Sequence, residues 1–492
     1  MEFSINNEIK GVDKSRTDKN GVLQIKIGNK IKTSQRRIAE KKKFLKKFWV
    51  IPIVILLIFI SASLYEGYKL LKAAGKIGIT LDPKTIFPFA QQLPTLAKTD
   101  DRTNLLIVGI DTRPNDPGLM NTDTIMIISY NQVTNEILYI SIPRDMAVNY
   151  EQNNHKYTIK INGIYNLAAK EGGPEAGIKA LEEKVREITG IEIHYAIMIN
   201  YYAFVQIIDA LGGIDVCVER SFTSIYPKPG KEPGSSVGND EIIVHFDKGC
   251  QHMNGERALI YARARRSSGV EGSDYARALR QQKVVSAVYE KFKKSNIFNK
   301  FEDINQFLEI LSENIRMFNI STSDLKAAWE IREKINLENQ TNLVLSPAIG
   351  HWKLLDTNLT NYQIFPVSGN WEGVKNFVHF VLENPQVYKE NASIAVYDAG
   401  GGYKSALRIV DQINNGWLIG TYNGKVKAAC NGIIISSLRE KDIPSASLEY
   451  LQNILEGSVI DRPPIQTNTN TPIAVFACPS SPAEQSSGQG EN

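Results

Sequence analysis

Two kinds of charged residue recur at the ends of apolar runs in the first half of this chain. Aspartates there could hold a hard cation, and arginines could grip an anion. One run, Leu-Leu-Ile-Val-Gly-Ile, ends on Asp111 and Arg113; a second run begins at Asn121-Thr-Asp123-Thr; a third ends Ser141-Ile-Pro-Arg144-Asp145. Where strand ends meet loops, α/β sheets bind ligands, because loop backbone is free to take irregular conformations. Asp111 and Asp123 come from neighbouring strand edges and could share Mg²⁺ or Mn²⁺, since a small hard cation takes one or two carboxylates and completes its shell with phosphate oxygens and water. Aspartate is also a common turn and cap residue, so the pair alone proves little.

A second cluster supplies the anion-binding half. Tyr261-Ala-Arg263-Ala-Arg265-Arg266 is followed by Asp274-Tyr-Ala-Arg277-Ala-Leu-Arg280-Gln281. Arg263 and Arg265 point the same way if their segment is extended, and Arg277, Arg280 and Gln281 are expected on one helical face. A guanidinium fork donates two parallel hydrogen bonds to a phosphate, so the cluster points to a diphosphate held with a metal. The rival is a solvated basic helix or a nucleic-acid surface, and charge argues against it. The chain is +4 overall, but residues 1–47 carry 14 Lys/Arg against 5 Asp/Glu and leave the remainder net acidic. The basic excess is local and leaves no nucleic-acid footprint on the large domain. There is no G-x-x-x-x-G-K-[ST] loop, no G-x-S-x-G elbow and no H-E-x-x-H pair, so P-loop, serine-elbow and zincin chemistries are set aside.

The elements that must position these groups follow from periodicity. LLIVGI, TIMIISY and ILYISIP have strand length and are rich in isoleucine. GPEAGIKALEEKVREITG places Ala180, Leu181, Val185 and Ile188 on one helical face. HYAIMIN reads as a buried strand, YAFVQIIDALGG as a helix closed by glycines, 221–241 as a surface loop, and 274–297 and 301–337 as helices. Strands alternating with amphipathic helices predict an α/β domain, its central sheet covered by helices. From 391 a second, small α/β domain is expected to run to 479, and 480–492 to be a disordered tail.

Upstream, Phe48 to Tyr65 form an apolar run of bilayer length. Lys41, Lys42, Lys43, Lys46 and Lys47 lead it, with Trp49 and Tyr65 near its ends, which predicts a retained single span with the N-terminus inside. The organisation expected is a cytoplasmic tail (1–47), a plasma-membrane span (48–65), a short helix and stalk (66–100), a catalytic domain outside the cytoplasm (101–385, core 101–290) and the C-terminal domain. All four cysteines, Cys217, Cys250, Cys430 and Cys478, lie beyond the span, as suits an oxidising compartment. Pairing Cys217 with Cys250 and Cys430 with Cys478 follows the order of the domains; four buried thiols are the alternative.

GIDTR, NTDTIMI, SIPRD, KINGIY, ALGGIDV, GCQHMNGERALIYARAR and DYARALRQQ occur in that order behind the single span, over roughly residues 100–290 and less clearly to 380. The combination resembles the LytR-CpsA-Psr family of membrane-anchored cell-wall enzymes. The resemblance implies an α/β sandwich with a deep apolar pocket for a polyprenyl chain and arginines at its mouth. It implies transfer of a glycopolymer phosphate from a polyprenyl diphosphate to a peptidoglycan sugar hydroxyl. Asp111 and Asp123 match the family's Mg²⁺ pair, and Arg144, Arg263, Arg265, Arg277 and Gln281 match its pyrophosphate contacts. Arg113, Asp145, Lys160, Asn162, Asp274 and Arg280 match motif positions, with Asp145 or Asp274 open as general base. Residues 391–479 resemble a small domain often found behind this family, with Asp398-Ala-Gly400-Gly401-Gly402 as a turn or, less well supported, a phosphate loop. The alternatives are a lipid-diphosphate hydrolase using water as acceptor, an envelope-anchored transcriptional regulator, and a non-catalytic wall-binding module.

Overall fold

The computed structural model describes residues 75–80, 95–111, 120–152, 154–227, 241–294, 314–347, 352–467 and 469–479. The tail, the span at 48–65 and residues 480–492 lie outside the described residues, as does Arg113. Among the described residues no helix is long and apolar enough to cross a membrane.

Three isoleucine-rich runs form an antiparallel meander: β1 (Arg102–Ile110), β2 (Thr122–Asn131) and β3 (Ile137–Ser141). Leu106 faces Ile127 across one ladder, and Ile127 faces Ile140 across the next. A hairpin of β4 (Ala147–Gln152) and β5 (His155–Lys160) leads to α1 (Ile164–Thr189), β6 (Tyr195–Ile199) and α2 (Tyr201–Ala210). Then come β7 (Ile214–Val218), β8 (Phe222–Pro227), β9 (Glu241–Phe246), β10 (Gly249–Met253), α3 (Gly255–Arg263) and α4 (Asp274–Lys294). β11 (Ile315–Phe318), α5 (Thr322–Ile331) and β12 (Thr341–Val344) follow, and complete a six-stranded mixed sheet in the order β11-β6-β1-β2-β3-β12. Next are β13 (Leu355–Asn358), β14 (Gln363–Pro366) and α6 (Glu372–Glu383).

Both faces of the sheet are covered, because both are apolar. Leu106, Val108, Ile127 and Ile140 pack with Leu181, Val185 and Ile188 of α1 and with Val374, Phe377 and Val381 of α6. Met126, Tyr130 and Tyr139 on the other face meet Val285 of α4 and Ile331 of α5. The fold is therefore α/β with a central sheet between helices.

The α1 face anticipated from the sequence is the buried one, but the helix begins earlier. Gly173 breaks it with φ +79 and ψ −178, a conformation that costs glycine little, and Pro174 restarts it. Glu182 sits on this restarted segment with one carboxylate oxygen buried and unpartnered. Burial, then the charges of Glu175 and Glu183, push its pKa up to about 7. A carboxyl raised in the folded state contributes stability that is present at low pH and lost as pH rises through the folded value. Stability should thus fall by about 2–3 kcal/mol between roughly pH 4 and pH 7 on account of this group. Glu182→Gln should remove that slope and raise the urea midpoint at pH 8; an unchanged profile would show that the group is solvated.

Several elements depart from expectation. The loop expected at 221–241 contributes β8 and β9, which pair as a hairpin with Ile225 opposite Ile243; residues 228–240 lie outside the described residues. In the helix expected over 301–337, Ile315–Phe318 is an edge strand, drawn extended by pairing with β6, and the described helix is α5. The described parts of the stalk are packed into the body. Ile77 and Ile79 are buried, and Thr80 N donates to Ile320 O at 2.9 Å. Cys250 lies in β10 directly opposite Cys217 in β7, and these two are bonded. Cys430 is bonded to Cys478.

The C-terminal region comprises α7 (Pro385–Glu390), β15 (Ser393–Asp398), α8 (Tyr403–Asn415), β16 (Ile419–Lys425), β17 (Ile433–Ser437), α9 (Ser445–Leu455), β18 (Ser458–Ile460) and β19 (Ile473–Ala477). Its sheet runs β16-β15-β19-β17-β18. It shares its core with the first sheet. One apolar cluster runs from Leu106 through Phe377 of α6 to Ile394, Ile409, Leu451 and Val475. Trp352 bridges the two parts, its Nε1 donating to Asn414 O at 3.3 Å and its ring 5.6 Å from Phe377. The glycine loop after β15 is no phosphate cradle. Oδ1 of buried Asp398 accepts from Gly400 N (3.0 Å) and Gly402 N (2.9 Å), so a carboxylate already occupies the amides that an anion would need.

Candidate active site

Asp111 follows β1 and Asp123 is the second residue of β2, where a bulge at Gly109/Ile110 shifts the ladder. Asp111 N donates to Asn121 O at 3.1 Å, which holds the two strand ends together. Both carboxylates bear on one group, the hydroxyl of Tyr201 at the start of α2. Burial raises the Tyr201 pKa, the Arg263 guanidinium opposes this, and Asp111 and Asp123 add to it.

The loop after β3 carries Arg144 and Asp145. Arg144 Nη1 pairs with Asp123 Oδ1 at 2.5 Å, and its Nε lies 3.6 Å from Asp145 Oδ2. Burial opposes the charge on Arg144, but Asp123, Asp145 and Asp274 outweigh it and its pKa is raised. Lys160, at the end of β5, holds Asp145 Oδ1 at 2.7 Å. Asn162 supports the loop through its backbone, its N donating to Arg144 O at 3.3 Å.

α4 brings the third wall. Asp274 is its first residue; Arg277 Nη1 binds Asp274 Oδ1 at 3.0 Å, and Arg265 Nε lies 3.8 Å from the same oxygen. Arg277 is pulled down to about 10 by burial; Asp274 opposes this, and Arg265 and Arg144 add to it. Gln282, buried beside them, donates to Ser141 Oγ (2.8 Å) and Leu343 O (3.0 Å) and so pins α4 to β3 and β12. Asp123, Arg144, Asp145, Asp274, Arg277 and Gln281 line one cavity of about 330 Å³.

The expected single helical face divides. Arg277 and Gln281, four residues apart, face the cavity, whereas Arg280 turns away beneath the end of α3. There its guanidinium donates to Tyr261 O (3.0 Å), Glu271 O (3.0 Å), Glu271 Oε2 (2.8 Å) and Ala264 O. At 3% exposure, Arg280 satisfies carbonyls left open where α3 stops and does not line the cavity. Arg263 is the last residue of a helix, so it and Arg265 do not share an extended segment. Its guanidinium lies 3.8 Å over the Tyr201 ring and reaches the Tyr226 hydroxyl at 3.4 Å. Tyr201 and Tyr226 were missed from the sequence: Tyr226 falls in the expected surface loop 221–241, and Tyr201 between the strand HYAIMIN and the helix YAFVQIIDALGG. The cavity has an apolar wall of Ile125, Ile142, Val344 and Ile364, but its volume suits a headgroup.

Carboxylates and guanidinium groups converging from strand ends and a helix on one semi-enclosed cavity make a site suited to a polyanion. The chain belongs to the LytR_cpsA_psr family, whose family model matches residues 68–363. The polyisoprenyl-teichoic acid–peptidoglycan teichoic acid transferase TagU of Oceanobacillus iheyensis is 27% identical over 382 residues, covering 74% of this chain and 97% of that protein. The corresponding TagV of Bacillus subtilis is 24% identical over 274 residues, covering 56% of this chain and 64% of that one. Among solved structures, B. subtilis TagV aligns at a TM-score of 0.43 and 23% identity, over 58% of this chain and 99% of that chain. B. subtilis TagU aligns at a TM-score of 0.39 and 20% identity, over 57% and 96%.

Proposed function

We propose that this chain is an exported, membrane-anchored phosphotransferase that moves a glycopolymer phosphate from a polyprenyl diphosphate to a peptidoglycan sugar hydroxyl. The observation that carries this reading is the convergence of Asp123, Arg144, Asp145, Asp274, Arg277 and Gln281 on one cavity, inside the region that matches the family. The relatives named as transferases set the reaction class. The apolar run at 48–65 behind its lysines supports the anchor.

In this reading the acceptor hydroxyl attacks the phosphorus that bears the glycopolymer. A new P–O bond forms, the P–O–P bridge breaks, and polyprenyl phosphate leaves. Arg277, Arg144 and Gln281 hold the diphosphate and stabilise the charge that moves onto the leaving phosphate. The hydroxyl proton passes to a cavity carboxylate; Asp145 and Asp274 are each flanked by two cations, so charge favours neither. Asp111 and Asp123 are the residues that would hold Mg²⁺ or Mn²⁺. Among the described residues no group of three or more His, Cys, Asp or Glu side chains could hold a metal ion. Both carboxylates act on the same Tyr201 hydroxyl, and two carboxylates on one side of a site suit an ion whose shell would be completed by phosphate and water. When bound, such an ion would supply neutralisation of the diphosphate's charge.

The deciding experiment is transfer of lipid-linked polymer to a peptidoglycan oligomer by the full-length protein, with and without Mg²⁺. Conjugate should form with the wild type and fall at least a hundredfold with Asp123→Ala, at an unchanged unfolding temperature. Free polymer phosphate in place of conjugate would identify a hydrolase, and near-normal turnover by folded Asp123→Ala would show that the site is misplaced.

A further inference from the structure

Beyond its charged groups, the cavity is walled by three side chains that a diphosphate does not require. Tyr275 on α4 and Tyr362 in the β13–β14 turn both line it, yet remain 46% and 67% exposed. Ser346, just past β12, lines it as well; it is 9% exposed, and its hydroxyl oxygen is buried without a hydrogen-bond partner. A buried hydroxyl left unpaired is costly, and so are large rings left in water. Tyr362 adds backbone strain, with φ +51 in the left-handed region that bulky side chains rarely adopt. Strain of this kind, held in place by its surroundings, marks positions where geometry serves a ligand.

Side-chain hydrogen bonds on either side of Tyr362 fix the turn. Asn358 Oδ1 accepts from Thr360 N (2.9 Å), Asn361 Oδ1 accepts from Gln363 N (3.3 Å), and Asn361 Nδ2 donates to Gln363 Oε1 (2.6 Å). The hairpin is fastened to the charged loop, since Ile364 N donates to Asp145 O at 2.9 Å and Ile364 bridges Met146. Tyr362 is therefore presented from a rigid turn bonded to the segment that bears Arg144 and Asp145.

Aromatic rings beside an unpaired hydroxyl and carboxylates are the chemistry that recognises a pyranose. Its C–H face stacks on the aromatic ring, and its hydroxyls bond to the polar groups around it. We infer that Tyr275, Tyr362 and Ser346 form a sugar subsite adjoining the anion site and take one pyranose ring of a glycan. The inference rests on the transfer reading above. In that reaction a pyranose comes from two sources, the acceptor strand and the first sugar of the lipid-linked donor, and the test separates them.

The test uses full-length wild type, Tyr275→Ala, Ser346→Ala, Tyr362→Trp and Tyr362→Asn, the last because asparagine tolerates positive φ. Thermal unfolding is followed in parallel. Three probes are titrated: inorganic pyrophosphate, a peptidoglycan tetrasaccharide and the lipid-linked donor. Tyr362→Asn and Tyr275→Ala should each weaken one glycan probe at least tenfold and leave pyrophosphate unchanged, and Tyr362→Trp should retain binding. Loss confined to the tetrasaccharide, with a raised acceptor KM and little change in kcat, assigns the ring to the acceptor. Loss confined to the lipid-linked donor assigns it to the donor sugar. Folded variants that bind both glycan probes as the wild type does overturn the subsite. A wild type that binds sugars through these tyrosines but transfers nothing overturns the transferase reading alone.

Discussion

Arg277→Met should weaken binding of the lipid diphosphate by on the order of 2–5 kcal/mol while leaving the free protein as stable as before, or more so. The two effects have one cause. The Arg277 side chain is only 12% exposed, and burial has drawn its pKa down to about 10. A shift of that size corresponds to a net penalty of roughly 3 kcal/mol on the charged form, with burial the largest cause. Its carboxylate partner Asp274 is 58% exposed and stays solvated when the arginine is removed. Methionine fills similar space without a charge to bury, so the urea midpoint should hold or rise. What is lost is the fork that makes two bonds to a phosphate in a confined site, and Arg277→Lys should recover only part of it. Donor affinity by titration and the urea midpoint, measured on the same preparations, decide the matter. Equal loss of affinity and stability would mean that Arg277 is a structural ion-pair residue.

Three residues along the same helix the opposite is expected. Arg280→Leu should destabilise the protein by about 3–5 kcal/mol, because it strands a partly buried carboxylate and several carbonyls without donors. Glu271 is 19% exposed and loses its ion pair with Arg280, and Tyr261 O and Ala264 O lose the donor they share with it where α3 ends. Cation–π contacts to the Phe222 ring (5.0 Å) and the Tyr261 ring (5.9 Å) go with them. Lysine cannot substitute, since one ammonium cannot reach acceptors arranged around a planar fork. Removing both charges in Arg280→Leu/Glu271→Leu should be less damaging than the sum of the single changes. Strict additivity of the two would show that the pair is not coupled.

Residues 277 and 280 also mark where sequence legibility stopped. Helical periodicity placed Arg277, Gln281 and Arg280 close enough to count as one face. It carried no information about where the C-terminal end of α3 would lie, and that neighbour decides which arginine faces a ligand. The strands were legible because uninterrupted runs of isoleucine and valine suit a strand buried on both sides, as β3 is. The aspartates and arginines were legible for a related reason, since a charge that ends such a run must leave the core. Tyr201 and Tyr226 were not: Tyr226 lies in a stretch that reads as a surface loop, and nothing near Tyr201 in the sequence announces the arginine over its ring. Ile77 and Ile79 do alternate with polar or small residues, a strand-like signal, but in a segment read as a tether it was given no partner. β11 is four residues long. A stretch so short takes its conformation from the edge it joins more than from its own pattern.

The charged loop after β3 is completed by a bond from far downstream, the amide of Ile364 to the carbonyl of Asp145. The sheet beneath it closes in the same late fashion, with β1 waiting for β6 and β3 for β12. A chain appearing N-terminus first thus displays its aspartates and its first arginine long before it has a cavity to put them in. Contacts separated by so much chain form slowly compared with a local helix. The cavity and the folded state therefore arise in the same event, and a nascent chain or a fragment cut before β14 is expected to lack the finished cavity even with every acidic and basic group of its motifs intact.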